Sequence, residues 1–132
     1  MTQEEKMLLI KDLSARLPYA VTVEHTSGFR GTLHDIVIHH KYDDNDNVYD
    51  AICYTNFFGD EDNISIEYFK PYLFPLSSMT EEQEEKLLNI LEDKSDNEFE
   101  YKVVDFYNEN HIDYRGLIEK SLAIDATGLN IY

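Results

Sequence analysis

Apolar positions recur along this chain at two periods, and the switch between them marks its parts. Near the start, Leu9, Ile10, Leu13 and Leu17 fall on one side at helical spacing, opposite Lys11, Asp12 and Arg16. Thr2, with Glu5 three residues on, forms a capping-box pattern, and Pro18 closes the segment. The spacing predicts an amphipathic helix laid against a sheet.

From residue 19 the period becomes two. In YAVTVEH (19–25), Tyr19, Val21 and Val23 alternate with Ala20, Thr22 and Glu24, the pattern of a half-buried strand. TLHDIVIHH (32–40), VYDAICYT (48–55) and ISIEYF (64–69) read as three more strands, the last with Ile64, Ile66 and Tyr68 on one face. TSGFRG supplies turn glycines, and KYDDNDN and FFGDEDN are polar loops. Four strands with short connections predict an antiparallel meander, of which a small open barrel is one form. Pro71 and Pro75 argue against a further central strand and are expected to carry the chain off the sheet edge.

The helical period then returns. Thr80 and Gln83 repeat the capping pattern, Glu81, Glu82 and Glu84 suit the positive end of a helix dipole, and Leu87, Leu88 and Leu91 form an apolar stripe. KSDNE is a linker to a second helix, EFEYKVVDFYNEN, with Phe99, Val103, Phe106 and Tyr107 facing inward. HIDYRGLIEKSLAID is expected to be a third, capped by Asp113, with Tyr114, Leu117, Ile118 and Leu122 on one face and Gly116 allowing close backbone packing. The order predicts one α+β domain over residues 1–132, helix plus sheet over 1–76 and a helical part over 77–132 packed on it.

Charge narrows the functions open to such a domain. The formal net charge is −16, and it is spread: residues 1–76 carry six Lys/Arg against thirteen Asp/Glu, and residues 77–132 five against fourteen. Both halves repel phosphate backbones and anionic lipid surfaces, so neither nucleic acid nor membrane is expected as a direct partner. The 42% hydrophobic content, with ten Tyr and seven Phe, is enough for a core. Cys53 is the one cysteine, in the apolar run AICY, and is expected to be a buried inert thiol. MLLI is the only unbroken apolar run of the first thirteen residues and charges flank it, so no signal peptide is expected and the cytoplasm is the expected location.

Candidate chemistry is thin. Asp43, Asn45 and Asn47 match the first ligand positions of a calcium loop, but Val48 stands where glycine is needed and Tyr54 where the bidentate Glu should be. His25, His34, His39, His40 and His111 show no metal-ligand spacing: His34 and His40 share a face but sit roughly 20 Å apart along a strand. Ser77 and Ser78 lack a nucleophile elbow. No catalytic, cofactor or metal residue is assigned, and the reading leans away from an enzyme. The last two predicted helices have a helix–turn–helix outline, but Asp105, Glu109, Asp113, Glu119 and Asp125 surround Arg115, which is expected to pair with a neighbouring carboxylate instead.

Two stretches, FKPYLFPLSSMTEEQEEK and VDFYNENHIDYRGLIEKSLAIDATGLNIY, resemble segments of the form KPYLRPLSSMTEEE and DWLNxxHxDYRGLIEKGLA. These belong to a large group of short uncharacterised proteins of gut anaerobic bacteria, their mobile elements and phages. The resemblance runs from Phe69 onward and, more loosely, over the first segment. Phe74 stands where arginine is common and Ser121 where glycine is common. The resemblance implies a cytoplasmic accessory protein and a fold, with no reaction and no catalytic residue.

Together these features predict a non-enzymatic protein-binding factor for a protein partner, a basic one being favoured by the charge. The expected contact residues are Tyr42, Asp43, Asp44, Asp46, Tyr49, Asp60, Glu61, Asp62 and Tyr72, with Tyr132 also near a loop. One alternative is an acidic nucleic-acid mimic that occupies the basic groove of a DNA-binding enzyme, with the same loop carboxylates as its face. Another is an enzyme whose site is dispersed. A homodimer through a free sheet edge is a further geometric option.

Overall fold

A computed structural model describes residues 1–42, 47–55, 64–93 and 99–132. Helix α1 (Gln3–Arg16) begins as its sequence dictates: Glu5 N–H donates to the Thr2 hydroxyl (3.1 Å) and the Glu5 carboxylate accepts from Thr2 N–H (2.9 Å). Leu9 and Leu13 are fully buried. The polar side expected of Asp12 and Arg16 is not exposed; both residues are fully buried, and only Lys11 of that trio faces water.

The sheet is mixed and has seven strands, so the four-stranded meander is a partial description. Strands β1 (Thr22–His25), β2 (Arg30–Tyr42), β3 (Asn47–Thr55) and β4 (Ile64–Ser65) do pair in succession, antiparallel. A bulge between Leu33 and Asp35 shifts the β2–β3 register, which then runs on to Tyr42 opposite Asn47. The predicted fourth strand stops after two residues. A 3-10 turn over Ile66–Tyr68 buries Ile66, and the chain re-enters the sheet beside β1 as β5 (Phe69–Pro75).

β5 therefore runs through the two prolines expected to end the sheet. Its register explains why. Thr26 N–H donates to the Tyr68 carbonyl (3.0 Å), so the bonding positions toward β1 are Tyr68 and Lys70. Pro71, opposite Val23, falls between them, where no N–H is required.

Helices α2 (Glu81–Glu92) and α3 (Phe99–Glu109) follow as predicted. The third helix does not form. Residues 112–125 instead make two short strands parallel to β5, β6 (Ile112–Asp113) and β7 (Ile124–Asp125), joined by turns. Three residues in left-handed conformation, His111 (φ 57°), Gly116 (φ 75°) and Ser121 (φ 59°), interrupt any helix there. A single turn survives, capped at both ends. The Asp113 carboxylate accepts from Leu117 and Ile118 N–H (both 2.9 Å), while Leu122 N–H reaches the Leu117 carbonyl (2.9 Å) and Ser121 N–H the Ile118 carbonyl (3.1 Å). Gly116 serves this backbone geometry and not close packing, since a Cβ there would meet nothing within 4 Å. The strand order is β4-β3-β2-β1-β5-β6, with β7 also on β5, and among the described residues no pair joins β4 to β6 to close a barrel. The core lies between sheet and α1 and includes Val21, Val23, Leu33, Cys53, Phe69, Leu73, Leu117 and Leu122.

Candidate functional site

Three regions carry polar or reactive groups in unusual settings, and each can be built up from its residues.

The first is interior. Arg16 and Asp12, one helical turn apart on α1, meet in a two-pronged contact: Nε to Oδ2 at 2.8 Å and Nη2 to Oδ1 at 3.1 Å. Arg16 Nη2 also donates to the Ile112 carbonyl (2.7 Å), and Arg115 Nε donates to Asp12 Oδ1 (3.2 Å). The neighbouring carboxylate expected for Arg115 is replaced by Asp12, distant in sequence and brought in by the fold. Both guanidinium groups lie over the Tyr114 ring, at 5.5 and 4.6 Å from its centroid, and Tyr114 stacks on Tyr107. Arg16 Nη1 and His111 Nδ1 are buried without a hydrogen-bond partner, so the cluster is held at some cost. Its geometry is that of a clamp fastening the 112–118 segment to α1. With no second recognition helix behind Arg115, the helix–turn–helix outline has no counterpart in the structure.

The second region surrounds Tyr132. Its ring lies flat on His111 (centroids 3.7 Å apart, planes 7° from parallel) and against Phe74 (5.9 Å). Its hydroxyl accepts from Thr22 N–H (3.0 Å) and donates to the Tyr72 carbonyl (2.7 Å). By the β1–β5 register, Thr22 and Tyr72 are the next bonding pair, so the hydroxyl bridges a ladder rung that the strands do not close themselves. Burial pushes the Tyr132 phenol up to about 12 and the His111 imidazole down to about 4, with the Arg16 charge adding to the latter. Tyr132 lies outside any strand or helix, as expected of a residue near a loop, and although 46% exposed it pins β1 to β5 through its hydroxyl.

The third region is the helical layer. α2 repeats the reciprocal cap, Gln83 N–H to the Thr80 hydroxyl (3.2 Å) and Thr80 N–H to Gln83 Oε1 (3.0 Å). Yet none of its residues is buried. Leu87 and Ile90 turn inward and are half-buried, as is Gln83, which donates to Asn110 Oδ1 (3.3 Å). Of the predicted stripe, Leu88 and Leu91 point out, 54% and 47% exposed. α3 is better anchored, by Phe106 and Asn108, but leaves Tyr101 75% exposed and Val104 beside it.

The residues singled out for partner contact fare unevenly. Tyr72 is inside the fold, 1% exposed, because β5 is flanked on both edges; its hydroxyl accepts from Arg30 Nε (2.8 Å), and burial followed by a hydrogen bond to Glu24 raises its pKa. It offers no ring to a partner. Tyr42 and Tyr49 belong to β2 and β3 by backbone, and their side chains lie outside the described residues. Asp43, Asp44, Asp46, Asp60, Glu61 and Asp62 also lie outside them, as do Asn45 and the rest of the FFGDEDN loop. Cys53 is buried, and burial drives its thiol up to about 12, which keeps it in the unreactive thiol form near neutral pH.

Shallow grooves mark the surface of the described residues. One of about 320 Å³ is bordered by Glu24, His25, Glu67 and Lys70, another of about 480 Å³ by Pro75, Ser77, Asp113 and Tyr114. In the second, both Asp113 oxygens hold backbone N–H groups, so this carboxylate serves the turn it caps. Among the described residues no three His, Cys, Asp or Glu side chains gather at metal-binding distance, and no helix is long and apolar enough to cross a membrane. Compared with known families, characterised proteins and solved structures, the chain matches none.

Proposed function

We propose that this chain is a non-enzymatic accessory factor that works by holding a protein partner, and that the α2–α3 layer is its contact surface. The observation that carries this reading is that α2 is a helix with a complete N-terminal capping box and no buried residue, whose Leu88 and Leu91, three residues apart, stand in solvent. Isolated exposed apolar side chains are ordinary. A leucine pair on the outer face of a helix that contributes so little to the core is not needed for folding, and covering the exposed half of each side chain would return roughly 0.7–1.5 kcal/mol. The resemblance to short proteins of gut anaerobes and their phages supports an accessory role.

Capture from native host extract tests the reading. Wild-type protein should retain a saturable protein that Leu88→Gln/Leu91→Gln protein releases, since glutamine keeps the helix propensity while removing the apolar contact. Equal capture by both, or none by either, refutes it. The charge carried by both halves favours a second reading, the acidic nucleic-acid mimic. In that case capture would fail steeply with added salt and ignore Leu88 and Leu91.

A further inference from the structure

Resting on the α2–α3 docking surface just proposed, we infer that its occupant is a cationic amphipathic helix of a partner protein. At about 100° per residue, the outward side of α2 carries Glu81, Glu84, Glu85, Leu88, Leu91 and Glu92. All six are exposed, and the opposite side carries the half-buried Gln83, Leu87 and Ile90, so helical geometry and burial agree. The two leucines are therefore hemmed by carboxylates on their own face. α2's single cation, Lys86, pairs with Glu82 (3.5 Å) on the flank and leaves that face to the acids. α3 repeats the arrangement, with Tyr101 and Val104 outward between Glu100 and Asp105.

An apolar strip edged by acids fits one kind of surface well. A helix with leucine-like residues at every third and fourth position sets its apolar line on Leu88 and Leu91, and Lys or Arg on either side reaches the carboxylates. Other occupants meet repulsion. A second copy of this chain, net −16, would bring the same acidic margins face to face. Phosphate backbones and anionic bilayers repel the strip for the same reason.

Fluorescence anisotropy with synthetic peptides of about 18 residues, five helical turns, decides the matter. The probes are a leucine-striped peptide with Lys flanks, the same stripe with Glu flanks, and a scrambled Lys peptide of identical composition without a stripe. The striped basic peptide should bind roughly tenfold tighter than either control, and Leu88→Gln/Leu91→Gln protein should lose about the same factor. Glu81→Gln/Glu84→Gln/Glu85→Gln/Glu92→Gln protein should bind it several-fold more weakly at low salt, a gap that closes near about 0.5 M salt.

Equal binding of the scrambled peptide would reduce the effect to bulk charge and overturn the inference, as would failure of the striped basic peptide to bind. Tighter binding of the Glu-flanked stripe, with dependence on Leu88 and Leu91, would overturn the partner's charge while leaving the docking surface standing. Loss of the docking surface itself shows separately, as Leu-independent capture from extract.

Discussion

Helices α1 and α2 start from the same device and end in opposite situations. Each opens with a threonine whose hydroxyl caps the third residue and receives the reciprocal bond, from Glu5 in one and Gln83 in the other. Each carries leucines at helical spacing. α1 buries Leu9 and Leu13 completely and even its Asp12 and Arg16, whereas α2 buries nothing. Capping and periodicity make a helix; they do not decide what covers it. α1 lies on β3, and residues 112–115 close over its far side through the Arg16 and Arg115 contacts. α2 has α3 as its main neighbour. The helix whose outer face sets Leu88 and Leu91 among carboxylates is the one the fold leaves open, and it is the surface proposed for a partner.

The contrast can be broken most severely at Asp12. Asp12→Ala leaves two guanidinium groups in the interior sharing no carboxylate, and should cost about 3–5 kcal/mol in urea unfolding. A cost below 1 kcal/mol, a threshold set by the exposed-pair range, would mean that the α1 clamp is no more than a surface pair. Tyr132→Phe removes only the bridging hydroxyl from Thr22 N–H and the Tyr72 carbonyl, one bond exposed and the other part-buried, for a loss of about 0.5–1.5 kcal/mol. No change would show that the β1–β5 rung closes without it.

Acid should act next, more weakly because the His111 ring is partly exposed. As pH falls through 6.5 the unfolded chain binds a proton that folded His111 refuses until about 4, so stability drops across that window and levels off below it. Carboxylates titrate nearby, so the quantity to measure is the difference between wild type and His111→Asn, a substitution that tolerates the left-handed backbone at φ 57°. The drop between pH 6.5 and 4 should be shallower in the variant. Parallel profiles would contradict the role given to the ring.

Ser121→Gly relieves a left-handed residue at the close of the capped turn and should stabilise by about 1 kcal/mol. Smallest of all, Leu88→Gln/Leu91→Gln should leave the unfolding free energy within about 0.5 kcal/mol of wild type. A loss of several kcal/mol would make those leucines core residues and erase the difference between the two helices.

Much of this architecture is legible in the residue pattern: both capping boxes, α1, α3, and the run of antiparallel strands up to Ile64. What escaped did so for identifiable reasons. Tyr114, Leu117, Ile118 and Leu122 follow a helical pattern, and Leu117 and Leu122 are buried as expected, but the backbone turns left-handed at His111 and Ser121, which the pattern does not announce. Pro71 reads as a strand breaker because its harmless place in the register depends on a partner strand some fifty residues earlier, at Val23. Asp12 and Arg16, four apart, look like any surface ion pair until Ile112 and Arg115 cover them. Leu87, Leu88 and Leu91 are visible as one stripe; which of them faces water depends on how little else reaches α2. Tyr72 was drawn to the surface by flanking prolines and is instead a core ring of β5.

The most direct test of the α2 account is the affinity of the leucine-striped, lysine-flanked peptide for Leu88→Gln/Leu91→Gln protein beside wild type. The account predicts binding weakened by roughly tenfold in a protein of unchanged stability. Undiminished affinity would contradict it.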